Sequence, residues 1–221
     1  MCNSDGTLRQ WTFWKMYKVC LKKEMRGLFK SRKSLWLLPA FFLPSIMLLP
    51  GAGPGILPLE TGDFIGWLFC VGAMACTMHY TWDMTTTDRL SRTLLFFYNL
   101  GVPFPYLLFA RLSISAILLC IYFIVNLAII IPHLTVYAIV LSLTFGLLFG
   151  IIEFLTLISV RDVNALFLCM YLPLVCGVGL AFLFFLIPGV VIQLAGLFVL
   201  IIFTYLYFVK TMKGKRLRCN M

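Results

Sequence analysis

The sequence has few charged residues and very few acids. Of 221 residues, 12% are charged, eight are Asp or Glu and two are His, whereas 62% are hydrophobic. A water-soluble core cannot enclose that much apolar surface, so a soluble globular protein is excluded and an integral membrane protein is expected. The net charge of +10 would suggest nucleic acid in a soluble protein. Here the basic residues sort by side of the membrane, so we expect no nucleic-acid partner.

Motifs for common enzyme chemistry are also absent. The chain has no GxxxxGK[ST] phosphate loop, no GxSxG, no HExxH and no acidic cluster of the kind that holds a metal. Its histidines, His79 and His133, fall on opposite sides of the predicted membrane. Its eight cysteines lie in apolar runs or basic segments and indicate no disulfide framework. The sequence therefore predicts no enzyme activity, metal site or cofactor in this chain.

Six apolar runs are long enough to cross a bilayer, which requires about 20 residues. They are Ser34–Pro50, Gly62–Trp82, Tyr106–Ile131, Leu134–Val160, Ala165–Ile187 and Val190–Val209. We therefore predict an all-α fold with six transmembrane helices in one domain, 34–209. The connections on the outer side are too short to form a domain, which excludes a receptor or an extracellular enzyme.

The basic residues predict the orientation. Nine of the 18 Lys and Arg residues precede the first run, three lie between the second and third runs or open the third, one lies between the fourth and fifth, and five lie in the tail 210–221. Lys and Arg favour the cytoplasmic side, so both termini are predicted to be cytoplasmic. The expected location is a bacterial or archaeal plasma membrane. No cleavable signal peptide is expected, because the first apolar run follows a long polar and basic segment.

The N-terminal segment, 1–33, is predicted to contain an amphipathic helix at the membrane interface. Its two faces differ in character: Trp14, Tyr17, Leu21, Met25 and Leu28 share one side, and Lys15, Lys18, Lys22, Arg26 and Lys33 share another. Such a helix places its apolar side in the acyl boundary and its ammonium groups among lipid phosphates, so membrane lipids are expected partners. The alternative is a solvated basic tail.

The longest internal connection, 83–105, is predicted to carry a short cytoplasmic helix. Thr87 and Asp88 can cap a helix on which apolar residues recur at helical spacing, while Arg89 and Arg92 face elsewhere. The recurring apolar residues are Leu90, Leu94, Phe97 and Tyr98. A helix held between two spans can transmit force from a soluble partner. Equally, it can simply pack on the bilayer surface.

The fourth run combines close-packing residues with a buried acid. Gly146 and Gly150 form a GxxxG step, and Glu153 lies on the same helical face. A carboxylate at this depth is costly unless it is paired, hydrated or protonated. Three roles remain open: a packing hydrogen bond or neutral acid, a substrate or ion pathway, and a dimer interface.

Helix breakers and isolated amides mark the last two runs. Pro173, Gly177 and Gly179 predict either a hinge in the fifth run or a helix whose neighbours tolerate these residues. Gln193, in the sixth run, predicts an interhelical hydrogen bond.

Two segments resemble the membrane permease subunit of type 2 ATP-binding-cassette (ABC) exporters. They are KKEMRGLFKSRKSLWLLPAFFLP, which enters the first span, and TTTDRLSRTLLFFYNLGVPFPYLLFARLSISAILL, which links the second span to the third. The resemblance implies a permease that pairs with a second copy or a paralogue and docks a cytosolic ATPase, which binds the ATP and Mg. It also implies docking residues in the interfacial helix and this coupling loop: Glu24, Arg26, Asp88, Arg89, Arg92 and Leu94. An apolar or amphipathic cargo, such as a lipid, drug or hydrophobic peptide, would move along the dimer interface.

Other functions remain open. The short connection at Pro188 and Gly189 leaves little room for the re-entrant helices common in that family. The permease-like subunit of the cytochrome c maturation system, which handles haem-related cargo, has a similar length and span count. A different class is an ion-coupled secondary carrier that uses Glu153 as its protonatable group. A non-transporting scaffold or immunity protein is a third possibility.

Overall fold

The computed structural model describes residues 13–30, 61–94, 104–126, 135–160, 166–187 and 190–214. These residues form six α-helices: α1 Phe13–Lys30, α2 Thr61–Leu90, α3 Phe104–Val125, α4 Val136–Ser159, α5 Leu166–Leu186 and α6 Val190–Gly214. Thr93 and Leu94 are also helical. No strand occurs in these ranges, so the predicted all-α class is confirmed. The first predicted apolar run, Ser34–Pro50, lies outside them.

Four of these helices are long and apolar enough to cross a membrane. The qualifying stretches are Asp63–Leu90 in α2, Pro105–Val125 in α3, Val136–Ser159 in α4 and Val191–Lys210 in α6. Helix α5 contributes a shorter apolar stretch, Tyr171–Leu186. Lengths near 20 apolar residues match the thickness of a bilayer core. The helices therefore indicate a membrane-embedded protein.

Helix α2 is the centre of the fold, and its closest neighbour is α4. The approach depends on small residues, because a methyl group added at Gly146 would lie 3.3 Å from the Ala73 carbonyl oxygen. The Thr77 hydroxyl donates a hydrogen bond to the Gly146 carbonyl at 2.6 Å. Gly150 lies against the Thr77 and Thr81 side chains. The GxxxG face of α4 thus forms a close seam with α2, as small residues do in membrane helices.

Helix α2 extends two turns beyond the predicted span and ends at Leu90. Thr87 is therefore inside α2 and does not begin a separate helix. The predicted span ends at Trp82, and a polar segment rich in threonine follows it from Asp83. In the structure the Thr85 and Thr86 hydroxyls donate to carbonyls one turn earlier, which satisfies these polar groups within the helix.

Helix α5 is continuous through Pro173. No hinge or unwound turn is present in it. Gly177 lets α5 approach its neighbours, because a methyl group there would lie 2.8 Å from the Phe149 ring. Gln193 of α6 donates to the carbonyls of Phe184 and Ile187, which have no partner in the next turn of α5. This bond joins the two helices across their short connection.

Helix α1 packs on the protein with its apolar side. Leu21, Met25 and Leu28 lie against a core cluster formed by α2 and α3. The Tyr17 hydroxyl hydrogen-bonds Ser113 of α3 at 2.7 Å. The sequence predicts that this side faces the acyl boundary, but the chain itself covers most of it. Trp14 remains 65% exposed at the start of the helix.

Candidate functional site

A buried network of charged side chains joins α1 to the adjoining ends of α2 and α3. Helix α1 supplies Lys23 and Glu24, α2 supplies Asp88, and α3 supplies Arg111. Glu24 follows Cys20 by one turn, and both residues are buried on the side of α1 that faces the other helices. The amphipathic pattern of α1 therefore carries a carboxylate into the protein rather than into water.

Arg111 is the hub of this network and is 1% exposed. Its Nε donates to Glu24 Oε1 at 3.2 Å, Nη1 donates to the Thr85 hydroxyl, and Nη2 donates to Asp88 Oδ2. Its guanidinium carbon lies 4.9 Å from the centre of the Phe154 ring of α4. A planar guanidinium has several donors in a fixed arrangement, so one side chain can bind three helices at once.

Glu24 has two further partners. Lys23 Nζ lies 2.9 Å from Glu24 Oε1 and also pairs with Asp88, while the Tyr80 hydroxyl donates to Glu24 Oε2 at 2.9 Å. The network thus contains two cations and two carboxylates, and each carboxylate contacts both cations. Buried ion pairs need such extra hydrogen bonds to offset the loss of hydration.

The charges around Glu24 keep it ionised. Burial alone would raise the pKa of Glu24, but the charges of Arg111 and Lys23 outweigh burial, and hydrogen bonds from Lys23 and Tyr80 act in the same direction. The pKa of Glu24 is therefore below its ordinary value. An ionised Glu24 keeps its ion pairs with Arg111 and Lys23.

The predicted docking residues divide into buried and exposed groups. Glu24, Asp88 and Leu94 are buried within the chain, and Leu94 packs in a cluster with Leu107, Leu108, Phe154 and Leu155. Arg89 is partly buried, and its Nη1 donates to the Leu157 carbonyl at 2.8 Å. Arg26 and Arg92 are exposed. The structure therefore brings together Glu24 and Asp88 and leaves Arg26 and Arg92 facing outward.

Four members of the network were not among the predicted site residues: Lys23, Tyr80, Thr85 and Arg111. One signal in the sequence could have found the hub. Arg111 lies in an otherwise apolar helix, and a cation at such a position requires a counter-charge. Its two acidic partners come from segments 87 and 23 residues away, so no local spacing identifies them.

Glu153 forms a second polar feature and is not a member of the network. It is fully buried on α4, and neither carboxylate oxygen has a hydrogen-bond partner among the described residues. Gly146 and Gly150, on the same helical face, are packed against α2. No group of three or more metal-binding side chains occurs in the described part of the chain.

Comparison with known proteins adds no identification. No protein family, curated protein or solved structure matches the chain. The function must therefore be argued from the site itself.

Proposed function

We propose that this chain is the transmembrane permease subunit of an ATP-driven ABC exporter. In this proposal it has six spans with both termini in the cytoplasm, and it works with a second permease copy or a paralogue. The observation that carries the proposal is the buried ion network, because it attaches an amphipathic basic helix rigidly to two central helices. A subunit driven by a soluble motor needs such a rigid connection between its surface and its spans.

The network would allow α1 to transmit force to α2 and α3. A force applied to α1 passes through Glu24 to Arg111 of α3 and through Lys23 to Asp88 of α2. Breaking one partner of a buried ion pair costs about 3 to 5 kcal/mol, so the connection resists separation. Movement of α1 would therefore change the positions of α2 and α3 together.

The outward side of α1 is the proposed docking surface for the ATPase. It carries four exposed cations one turn apart, which we call the basic stripe: Lys15, Lys18, Lys22 and Arg26. Arg92, exposed just after α2, adds another positive charge near this end of the bundle. An acidic partner surface would be attracted to the stripe and oriented by it. Glu24 and Asp88 then act indirectly by holding α1 in place, and Leu94 supports the fold beneath.

The chain itself lacks a nucleotide-binding loop, so ATP and Mg would be bound by the partner. The cargo we propose is apolar or amphipathic, such as a lipid, drug or hydrophobic peptide. The whole chain contains 21 Phe and 10 Met, and such side chains suit contact with apolar molecules. The path would follow the interface between two permease subunits.

Co-purification with an ATPase tests this proposal. We expect an open reading frame with a GxxxxGK[ST] loop beside the gene, and its product should purify with the full chain. Reversing Lys22 and Arg26 to Glu should reduce recovery of the ATPase, most strongly at low salt, because screening weakens exposed charges. Lys210 of α6 is also exposed and basic, so Lys210→Glu is the matched control and should have little effect. Equal recovery with all variants at low salt would refute docking on the stripe.

A further inference from the structure

Glu153 is buried, and none of the described residues gives its carboxyl group a polar partner. Its side chain is fully buried, its two carboxylate oxygens have no hydrogen-bond partner within the described ranges, and it takes part in none of the ion pairs found there. The two acids of the ion network, Glu24 and Asp88, each have at least two partners. A polar group without a partner in an apolar interior points to a function other than packing.

Glu153 lies in the seam between α2 and α4. Gly150, three residues earlier on α4, lies against Thr77 and Thr81 of α2. Leu157, one turn later, accepts a hydrogen bond from Arg89 of α2. Glu153 therefore lies between two contacts of α4 with α2, and the seam closes on both sides of it.

The cations around this part of α4 already have other partners. Arg111 of α3 lies over Phe154, but its donors are directed to Glu24, Asp88 and Thr85. The other ionisable groups of the described residues at this level include Arg89 and Asp88 of α2 and Tyr207 of α6. Asp83 of α2 is buried as well and, being an acid, offers Glu153 no counter-charge. Arg89 donates to a carbonyl, Asp88 belongs to the ion network, and Tyr207 packs in the cluster around Phe154 and Leu155.

We propose that Glu153 is a proton-binding site in the seam between α2 and α4. With the seam closed, the carboxyl group is fully buried and pairs with no cation among the described residues, so it carries a proton and is neutral. When α2 and α4 separate, water reaches the carboxyl group, its O–H bond breaks, and the proton passes to water. The proposal does not depend on the ABC function, because it concerns a property of the chain alone.

The proton is the ligand that fits this site best. A metal ion requires several oxygen, nitrogen or sulfur ligands, and no such group surrounds Glu153 in the described part of the chain. Thr77 of the adjoining face already donates its hydroxyl hydrogen to backbone carbonyls. A single carboxyl group in a dry seam can bind a proton without any further ligand.

Carbodiimide labelling tests the proposal on the full chain in detergent or in vesicles. A hydrophobic carbodiimide adds to a protonated carboxyl group in an apolar site and leaves a stable acylurea that mass spectrometry locates. At about pH 7 we expect the adduct on Glu153 to exceed that on Glu24, which is ionised and paired, by roughly tenfold or more. A water-soluble carbodiimide should not label Glu153. Glu153→Gln should abolish the adduct, and this variant should fold because the amide resembles the neutral acid.

A pair of variants at Gly150 tests the role of the seam. A methyl group at Gly150 would lie 3.5 Å or more from its neighbours, so Gly150→Ala should keep the seam closed and the labelling unchanged. Gly150→Leu should separate the helices, admit water and reduce the adduct. Infrared spectroscopy provides a second measurement, because the carbonyl band of a protonated acid should be present in the parent chain and absent in Glu153→Gln. Absence of both the adduct and this band, or equal labelling in the Ala and Leu variants, would overturn the proposal.

Discussion

Replacing Arg111 with Met should detach α1 from the bundle. Met retains most of the apolar length of the side chain but removes the guanidinium that binds Glu24 and Asp88. Among the described residues, Lys23 is then the one cation that still pairs with the two buried carboxylates. The loss of one partner from a buried ion pair costs about 3 to 5 kcal/mol. Since 1.4 kcal/mol is a tenfold change in an equilibrium, 3 kcal/mol raises the detached fraction of α1 by about a hundredfold.

The thiol of Cys20 reports this detachment. It is 1% exposed when α1 is packed, and burial together with the Glu24 carboxylate raises its pKa, so it should react slowly with a maleimide. The assay uses a chain that keeps Cys20 as its single cysteine. Labelling should accelerate strongly in Arg111→Met and remain slow in Lys22→Met, which removes an exposed cation from the same helix. Equal protection of Cys20 in both variants would show that the network does not hold α1.

Three further predictions concern stability, each measured as the melting temperature of the purified chain. Folding lowers the pKa of Glu24. Its contribution to stability is therefore complete above the unfolded pKa of about 4.3 and is lost as the pH falls through the folded pKa. In Glu24→Gln the melting temperature should therefore fall less steeply at acidic pH. Arg92 has a φ of 56°, so Arg92→Gly should stabilise by about 1 kcal/mol and Arg92→Ala should not. Gly177→Ala should destabilise by about 1 to 3 kcal/mol through overlap with Phe149, whereas Gly179→Ala, which faces open space, should be near neutral. For each prediction, equal melting temperatures in the proteins compared would contradict the structural reason given for it.

The helical fold could be predicted from the sequence, because an apolar run of about 20 residues in a membrane protein typically forms a transmembrane helix. The predicted runs 134–160 and 165–187 agree closely with α4 and α5. The end of α2 could not be predicted in the same way. Its last turns are rich in Thr, which usually marks a loop, but here the hydroxyls bond to the helix and Thr85 also accepts from Arg111. Tertiary contacts thus override local preference.

The candidate site was predictable only in part. Periodicity correctly separated the two sides of α1, but it could not show that Glu24 contacts Arg111, 87 residues later. The resemblance to ABC permeases implies that Glu24 and Asp88 contact a partner, but both are buried within the chain. Their burial follows from the position of Arg111, which needs a counter-charge in an apolar helix.

Transport in vesicles tests the central claim most directly. The full chain and its ATPase should be reconstituted together, and movement of fluorescent lipids and amphipathic dyes should be followed with and without ATP. We predict that movement of these molecules requires ATP and both proteins. Arg111→Met should uncouple this movement from ATP hydrolysis, because α1 no longer transmits force to α2 and α3. Movement of a solute by the chain alone in vesicles without ATP would contradict the claim.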